Sequence, residues 1–279
     1  MVESYCPTSY GEALTLLSQE ELTIVAGGTD LMVRRRNWSS LPPKFDHPVM
    51  FVAGLEELDY IDRKGNCVHI GSGVTLEEIM DDYHTPTLLR DAIKVMASPA
   101  IRHTATLAGN VVNASPAGDS LPVLYLLDSI VVLESAYGIR HVPIEDFIMG
   151  PGRTSINNDE MIKEIIVTDH GFNHMIYKKI GGRKADAISK VCFVGACQTK
   201  KHVIEDFRMA FGAVAPVVVR CKDIEDKIKG QTVQWLLENR DNLMSDYSEN
   251  IQPIDDQRST AHYRKKICGN LMNDFMHFR

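Results

Sequence analysis

Apolar positions change period repeatedly along the chain, which marks a mixed helix and strand protein rather than a bundle or a sandwich. Helical spacing predicts an opening helix over 11–17, further helices over 76–83, 88–96 and 121–127, and C-terminal helices over 233–239 and from Thr260 onward. In the last of these, Tyr263, Ile267, Leu271 and Phe275 recur at i+4 spacing and are expected to bury one stripe. Between 22 and 71 the pattern predicts short strands joined by turns. Ile130 to Glu134 and Ile139 to Val142 flank Ala136-Tyr137-Gly138 and predict a hairpin, with a strand over 164–168 to follow. Past the polar stretch Asp169 to Asn173, runs at 174–180, 191–199, 205–211 and 217–221 predict strands, with Lys200-Lys201-His202 at a turn. The expected fold class is α+β in two parts, 1–172 and 173–279, the second a smaller α+β domain with an antiparallel sheet backed by helices.

One predicted strand ends in an unusual turn. The run Leu22-Thr23-Ile24-Val25 leads directly into Ala26-Gly27-Gly28-Thr29-Asp30-Leu31. Adjacent glycines let successive N–H groups point the same way with no Cβ in an anion's path. A pyrophosphate suits such a row, each charge-assisted bond contributing roughly 1.5–3 kcal/mol. The hexapeptide suits equally well a surface turn that only reverses the chain. A second stretch, Thr106 to Pro122, carries Leu107, Ala108, Gly109, Asn110, Ser115 and Asp119 before turning helical at Leu121. It is expected to be a long loop of small residues that lines a ligand. Asp119 has two open roles: accepting from sugar hydroxyls, or capping the helix that Pro122 opens.

Composition narrows the class. The chain has 279 residues, 44% of them hydrophobic, enough to fill proper cores. No run approaches the ~18 apolar residues of a membrane span. Met1 to Pro7 shows neither a basic n-region nor an apolar h-region, so a cytoplasmic protein is expected. A formal net charge of −7 argues against a broad nucleic-acid surface; the one basic run is Arg34-Arg35-Arg36. The six cysteines form no Cys-x-x-Cys and no cluster, so the usual zinc and iron–sulfur patterns are missing and no metal ligand is assigned. Cys192 and Cys197 are expected to be buried thiols. Gly71-Ser72-Gly73-Val74-Thr75-Leu76 opens like a dinucleotide fingerprint but ends in leucine, and no phosphate-binding lysine loop, zinc-protease or serine-hydrolase motif occurs.

The two glycine-bearing stretches resemble the FAD-binding subunit of the molybdenum hydroxylases, the xanthine dehydrogenase and carbon monoxide dehydrogenase family. That family carries an Ala-Gly-Gly-Thr-Asp/Glu-Leu loop and a later Thr-x-Gly-Gly-Asn loop leading to Ala-Ser-Pro-x-x-Asp. Val68 to Leu76, Ile101-Arg102-His103, Lys179 to Ser189, Ala210 to Pro216 and Ser259 to Arg264 also resemble it, in family order. The resemblance implies an FAD domain of the vanillyl-alcohol oxidase/PCMH type holding FAD noncovalently. By resemblance the cofactor is held by Ile24, Val25, Ala26, Gly27, Gly28, Thr29, Asp30, Leu31, Thr106, Leu107, Ala108, Gly109, Asn110, Ser115, Asp119, Ile162 and Lys179, with no catalytic side chain. Lys179 is placed near the isoalloxazine, where a cation would stabilise a reduced ring. Arg183 and Asp186 are expected to be structural, as an ion pair, the alternative being that they shape the ring's surroundings. Ala108 stands where the family has glycine, and a left-handed backbone there would cost about 1 kcal/mol or more and weaken FAD binding.

The same resemblance implies partner subunits, one with two 2Fe-2S clusters and one with the molybdenum cofactor, and NAD+ as electron acceptor. Neither nucleic acid nor membrane is an expected partner. Three alternatives remain: the flavin subunit of a hydroxylase for another N-heterocycle such as nicotinate, a stand-alone FAD-dependent oxidase, and an assembly module without a cofactor.

Overall fold

The computed structural model describes residues 3–184 and 186–277. It forms two compact units. The first comprises the chain through Pro86 with Ala97–Ala114 and Ser129–Thr168; the second comprises Thr87–Met96, Ser115–Asp128 and the chain from Asp169 onward.

The first unit holds two main sheets. Ser4–Tyr5, Val49–Phe51 and Thr23–Val25 lie in that order as a parallel three-stranded sheet. The helix Tyr10–Gln19, capped by Ser9, buries Ala13, Leu14 and Leu17 in the same core as Met50 and Val52. The five-stranded sheet is antiparallel, in the order Ile61–Lys64, Cys67–Gly71, Met161–Thr168, Ile130–Ser135, Gly138–Pro143. Its last two strands are the expected hairpin. Met161–Thr168 is longer than its predicted span and carries a bulge between Ile162 and Glu164. A bulge bends a strand and re-aims its side chains.

Three helices in this unit have local signatures. Leu76–Asp81 begins with a capping box, Thr75 and Glu78 each satisfying the other's backbone N–H. Pro99–Arg102 starts with proline at its first position, where a missing N–H costs nothing. Leu107–Val112 replaces the loop expected at that point, because Thr106 caps it by accepting from the Gly109 N–H at 3.0 Å.

The second unit is built on an antiparallel sheet, His174–Ile180, Val191–Lys200 and Val203–Gly212 in sequence order. Lys201 and His202 make its turn with φ of 49° and 65°. The expected strand at 217–221 is absent: Val219 makes a single bridge to Phe211, and the preceding Pro216 has no N–H to continue a ladder. Helix Val233–Ser248 runs on beyond its predicted end through a polar stretch, because Leu243 and Tyr247 return to the face begun by Leu236. In Ala261–Met276 the buried stripe is Arg264, Cys268, Met272 and Phe275, one position over from the one the pattern predicts at three of its four places. Arg264 can be inside because its guanidinium donates to the Ala213 carbonyl at 2.9 Å and to Asp256 at 2.7 Å.

Two arginines fasten Leu121–Leu126 within this unit. Arg220 donates to the Tyr125 carbonyl at 2.6 Å and Arg208 to the Leu126 carbonyl at 2.8 Å, and both bind Asp128. These are the carbonyls a helix C-terminus leaves unpaired. Arg208 Nη1 also lies 3.1 Å from His170 Nε2. A guanidinium only donates, so that ring nitrogen must keep its lone pair. Burial and then the Arg208 charge lower the His170 pKa below its ordinary 6.5. Burial alone does the same at His174. The unfolded chain therefore binds more protons than the folded one in the window below about pH 6.5. Stability is complete above that pH and is lost as pH falls through it. Melting curves from pH 7.5 to 5 should show this fall, and His170→Gln, which keeps an acceptor for Arg208, should flatten part of it.

Candidate functional site

Thr23–Val25 ends at Ala26, and from there the backbone turns through Gly27 and Gly28 into the short helix Leu31–Arg34. Gly28 has φ of +64°, so the turn requires a residue that tolerates the left-handed region. A Cβ on Gly27 would overlap the Thr104 carbonyl, so the turn lies directly against the backbone leading to Thr106. Leu76 N–H donates to the Ala105 carbonyl at 2.8 Å and Thr75 bridges to Thr106. The two glycine-bearing stretches, far apart in the chain, are thus held together by main-chain contacts.

They share one cavity of about 660 Å³. Ile24, Val25, Ala26, Gly27, Gly28, Thr29, Asp30 and Leu31 line it from one side, Thr106, Ala108, Gly109 and Asn110 from another, and Ile162 joins them from the bulged strand. Among the described residues, the backbone amides of Gly27, Gly28, Thr29 and Asp30, and those of Leu107 and Ala108, donate to no protein group. Partly buried amides without partners call for an acceptor that the chain does not supply.

Further lining residues were not among the assigned ones: Ser72, Leu76 and Asn113 lie within segments singled out above, whereas Gly152, Asn157 and Glu160 carry no sequence signal. Glu160 accepts from Arg140 Nε at 2.6 Å and from the Asn157 N–H at 2.8 Å. The Arg140 hydrogen bonds hold its carboxyl below the ordinary carboxylate range against some burial. At the outer end, Arg34 pairs with Asp30 at 2.7 Å and Arg35 with Asp46 at 2.9 Å.

Other sequence-assigned residues have different surroundings. Leu107 is buried in the core of the first unit. Ala108 has no left-handed backbone; it sits in helix Leu107–Val112, and the left-handed residue is Ala114, with φ of 45°, just past that helix. The expected backbone cost at Ala108 therefore does not arise. Ser115, Asp119 and Lys179 belong to the second unit. There Ser115 Oγ accepts from the Ala117 N–H at 3.3 Å. Asp119 does not cap Leu121–Leu126, whose N-cap is Ser120 without a side-chain bond. Its Oδ2 lies 2.8 Å from Lys179 Nζ and its Oδ1 accepts from Ser189 Oγ. Burial pushes the Asp119 carboxyl up against the pull of Lys179 and Ser189. Lys179 also donates to the Val95 carbonyl at 3.0 Å. Arg183 Nε donates to the Asp186 carbonyl at 2.9 Å.

Residues 1–168 match the family described as FAD binding domain in molybdopterin dehydrogenase. The chain belongs to this family. Residues 176–277 of the flavoprotein match the CO dehydrogenase flavoprotein C-terminal domain. Its sequence is 28% identical over 263 residues to the glyceraldehyde dehydrogenase medium chain of Sulfolobus acidocaldarius, covering 93% of this chain and 91% of that one. It is 26% identical over 268 residues to the xanthine dehydrogenase FAD-binding subunit of Escherichia coli O157:H7, covering 93% and 89%. Its fold is that of a chain in carbon monoxide dehydrogenase from Hydrogenophaga pseudoflava, with a TM-score of 0.88 at 23% identity, covering 99% and 96%.

The residues present fit FAD. The cavity falls within the roughly 300–1,000 Å³ of cofactor sites. Its unpartnered amides suit a pyrophosphate, and Val25, Val52, Leu76, Met161 and Ile162 give it apolar walls for flat rings. No helix among the described residues is long and apolar enough to cross a membrane.

Proposed function

We propose that this chain is the FAD-binding electron-transfer subunit of a cytoplasmic molybdenum hydroxylase of xanthine dehydrogenase type. It works with an iron–sulfur subunit carrying 2Fe-2S clusters and with a molybdopterin subunit, and it delivers electrons to NAD+. One observation carries the reading: two separate rows of unpartnered backbone amides, at 27–30 and 107–108, belong to segments lining one cavity in the family's FAD domain. The relatives named as medium chains and FAD-binding subunits support the assignment to a larger assembly.

Bound FAD supplies the chemistry, turning one-electron supply into hydride delivery. The protein's part is to bind and orient. In this reading the free main-chain N–H groups of Gly27 to Asp30 and of Leu107 and Ala108 clasp the pyrophosphate, while Ala26, Gly109 and Asn110 line the cavity beside them. Ile24, Val25, Leu31 and Ile162 shape the apolar walls, Thr106 fixes the helix that presents Gly109, and Glu160, kept ionised by Arg140, stiffens the turn at Asn157. Association costs about 4–15 kcal/mol, so phosphate contacts alone do not suffice and the rings must also be covered. No side chain is required as general acid, base or nucleophile.

The relatives are named for glyceraldehyde and for xanthine, so likeness in this subunit does not fix what the molybdenum partner oxidises. Xanthine is the first substrate to test. Purification from the native source should yield a yellow complex of three chain types whose flavin is released by acid and bleached by xanthine or by NADH. Yellow colour that stays with acid-precipitated protein, or a complex without iron, would overturn the assignment.

A further inference from the structure

One short motif of the chain has no part in the proposed function. Gly71-Ser72-Gly73 opens like a dinucleotide fingerprint, yet its glycines serve packing. Gly71 closes the strand Cys67–Gly71. A Cβ on Gly71 would overlap the Leu58 carbonyl oxygen, and one on Gly73 would press on the same oxygen at 3.1 Å. Only glycine lets the turn approach that backbone so closely. The N–H groups of Gly71, Ser72 and Gly73 donate to the carbonyls of Tyr60, Lys163 and Leu58, each at 2.9 Å. Ser72 is thus fixed through its own amide and through both neighbours.

Ser72 lines the cavity and is 8% exposed. Two other polar side chains of the lining are as deeply buried, and both are engaged: Thr106 Oγ1 accepts from the Gly109 N–H, and Glu160 is held by Arg140. Among the described residues, the Ser72 hydroxyl meets no protein group. It differs from Ser129 and Ser155, whose unpartnered hydroxyls are sealed inside the protein. Ser72 Oγ keeps accessible surface, and the space beside it is the cavity. A hydroxyl can both donate and accept, and leaving it unpaired in a buried place costs stability. Such a group calls for a ligand atom, as the free amides do.

The lining around Ser72 is enclosed. Ile162, next to the residue whose carbonyl takes the Ser72 amide, is 4% exposed, and Leu76, four residues on, is 2% exposed. The lining opens instead at its outer end, where the side chains of Arg34 and Asp46 are 54% and 74% exposed. We infer, resting on the proposed function for the cofactor's identity, that the Ser72 hydroxyl hydrogen-bonds the adenosine diphosphate half of FAD. Hydride delivery requires the isoalloxazine to come within about 3–3.5 Å of its acceptor, so that ring cannot occupy an enclosed end. The other half takes no part in the transfer and suits burial. Its ring edge, sugar hydroxyls and phosphate oxygens all offer a serine hydroxyl a partner.

The test compares wild type, Ser72→Ala and Ser129→Ala as full chains freed of flavin, titrated calorimetrically with FAD and with ADP, and melted with and without FAD. Ser72→Ala should weaken FAD and ADP by the same factor, about 3- to 10-fold, and shrink the Tm gained on adding FAD. Its flavin-free Tm should equal or exceed that of wild type, because the lost hydroxyl had no protein partner; a merely structural serine would lower it. Ser129→Ala removes a hydroxyl equally unpartnered but outside the cavity lining, and should leave both affinities at the wild-type value. Wild-type affinities in Ser72→Ala, or a flavin-free Tm below wild type, would overturn the contact. A loss confined to FAD, or ADP that fails to compete with FAD on wild type, would overturn its assignment to this half of the cofactor. A wild-type chain that takes up no FAD would instead remove the proposed function beneath it.

Discussion

Gly27→Ala is expected to empty the protein of flavin while leaving it folded. The added methyl would overlap the Thr104 carbonyl and lie 3.0 Å from the Ala105 Cα. Both are backbone, so neither can rotate aside as a flexible side chain would. The turn must back away and take its amides with it. Overpacking of this kind costs about 1–3 kcal/mol of stability. Withdrawing even two charge-assisted bonds costs about 3 kcal/mol or more of binding, which is over about 100-fold in Kd. Gly28→Asp tests the same turn by charge. Aspartate tolerates the left-handed backbone better than most residues, so the added carboxylate becomes the main perturbation. Gly11→Ala is the control: nothing lies within 4 Å of its Cβ, and alanine inside helix Tyr10–Gln19 should add about 0.5–1 kcal/mol with flavin unchanged. The 450 nm absorbance per chain after gel filtration reads all three. A full flavin complement in Gly28→Asp would show that this turn is not the phosphate site.

Most regular elements were legible in the sequence because each has its own period, and most departures arise where a single polar residue changes what the period means. Thr106 makes a helix of a stretch whose glycine and asparagines suggest a loop. Arg264 occupies the buried stripe of Ala261–Met276 only because Asp256 and the Ala213 carbonyl meet it, which no local pattern can announce. Thr87–Met96 and Ser115–Asp128 group with the C-terminal sheet, a pairing set by tertiary contact alone. Apolar burial explains it. Thr87–Lys94 hides Leu88, Leu89, Ala92 and Ile93, and Leu121–Leu126 is buried along its whole length.

The candidate site divides in the same way. The glycine turn, the Thr106 helix and Ile162 come to one cavity, and the first two carry sequence signals of their own. Gly152, Asn157 and Glu160 reach it from a separate segment and carry none. Asp119 and Lys179 were read one at a time as a cofactor acceptor and a ring-side cation. The structure joins them to each other, so the charge of each is first answered inside the protein.

That pairing makes Lys179→Met the second large expected effect. The two side chains are 9% and 10% exposed, and breaking a pair so enclosed strands a charge. The expected loss is about 3–5 kcal/mol of stability, read by urea unfolding at neutral pH. The sign of its pH dependence follows from Asp119. Burial already raises that carboxyl in the folded protein, and without Lys179 nothing cationic opposes it. A folded pKa above the unfolded one stabilises at low pH and is lost as pH rises through the folded value, so the variant should be weaker at pH 8 than at pH 5. Asp119→Leu/Lys179→Met removes both charges, and it should recover most of the loss because apolar replacement of a buried pair is often neutral. Flavin affinity is measured on the same proteins. If Asp119 also takes sugar hydroxyls, the double variant regains stability yet binds FAD weaker by roughly 1–3 kcal/mol. A Lys179→Met protein within about 1 kcal/mol of wild type, with no gain on adding Asp119→Leu, would show that the pair fastens nothing.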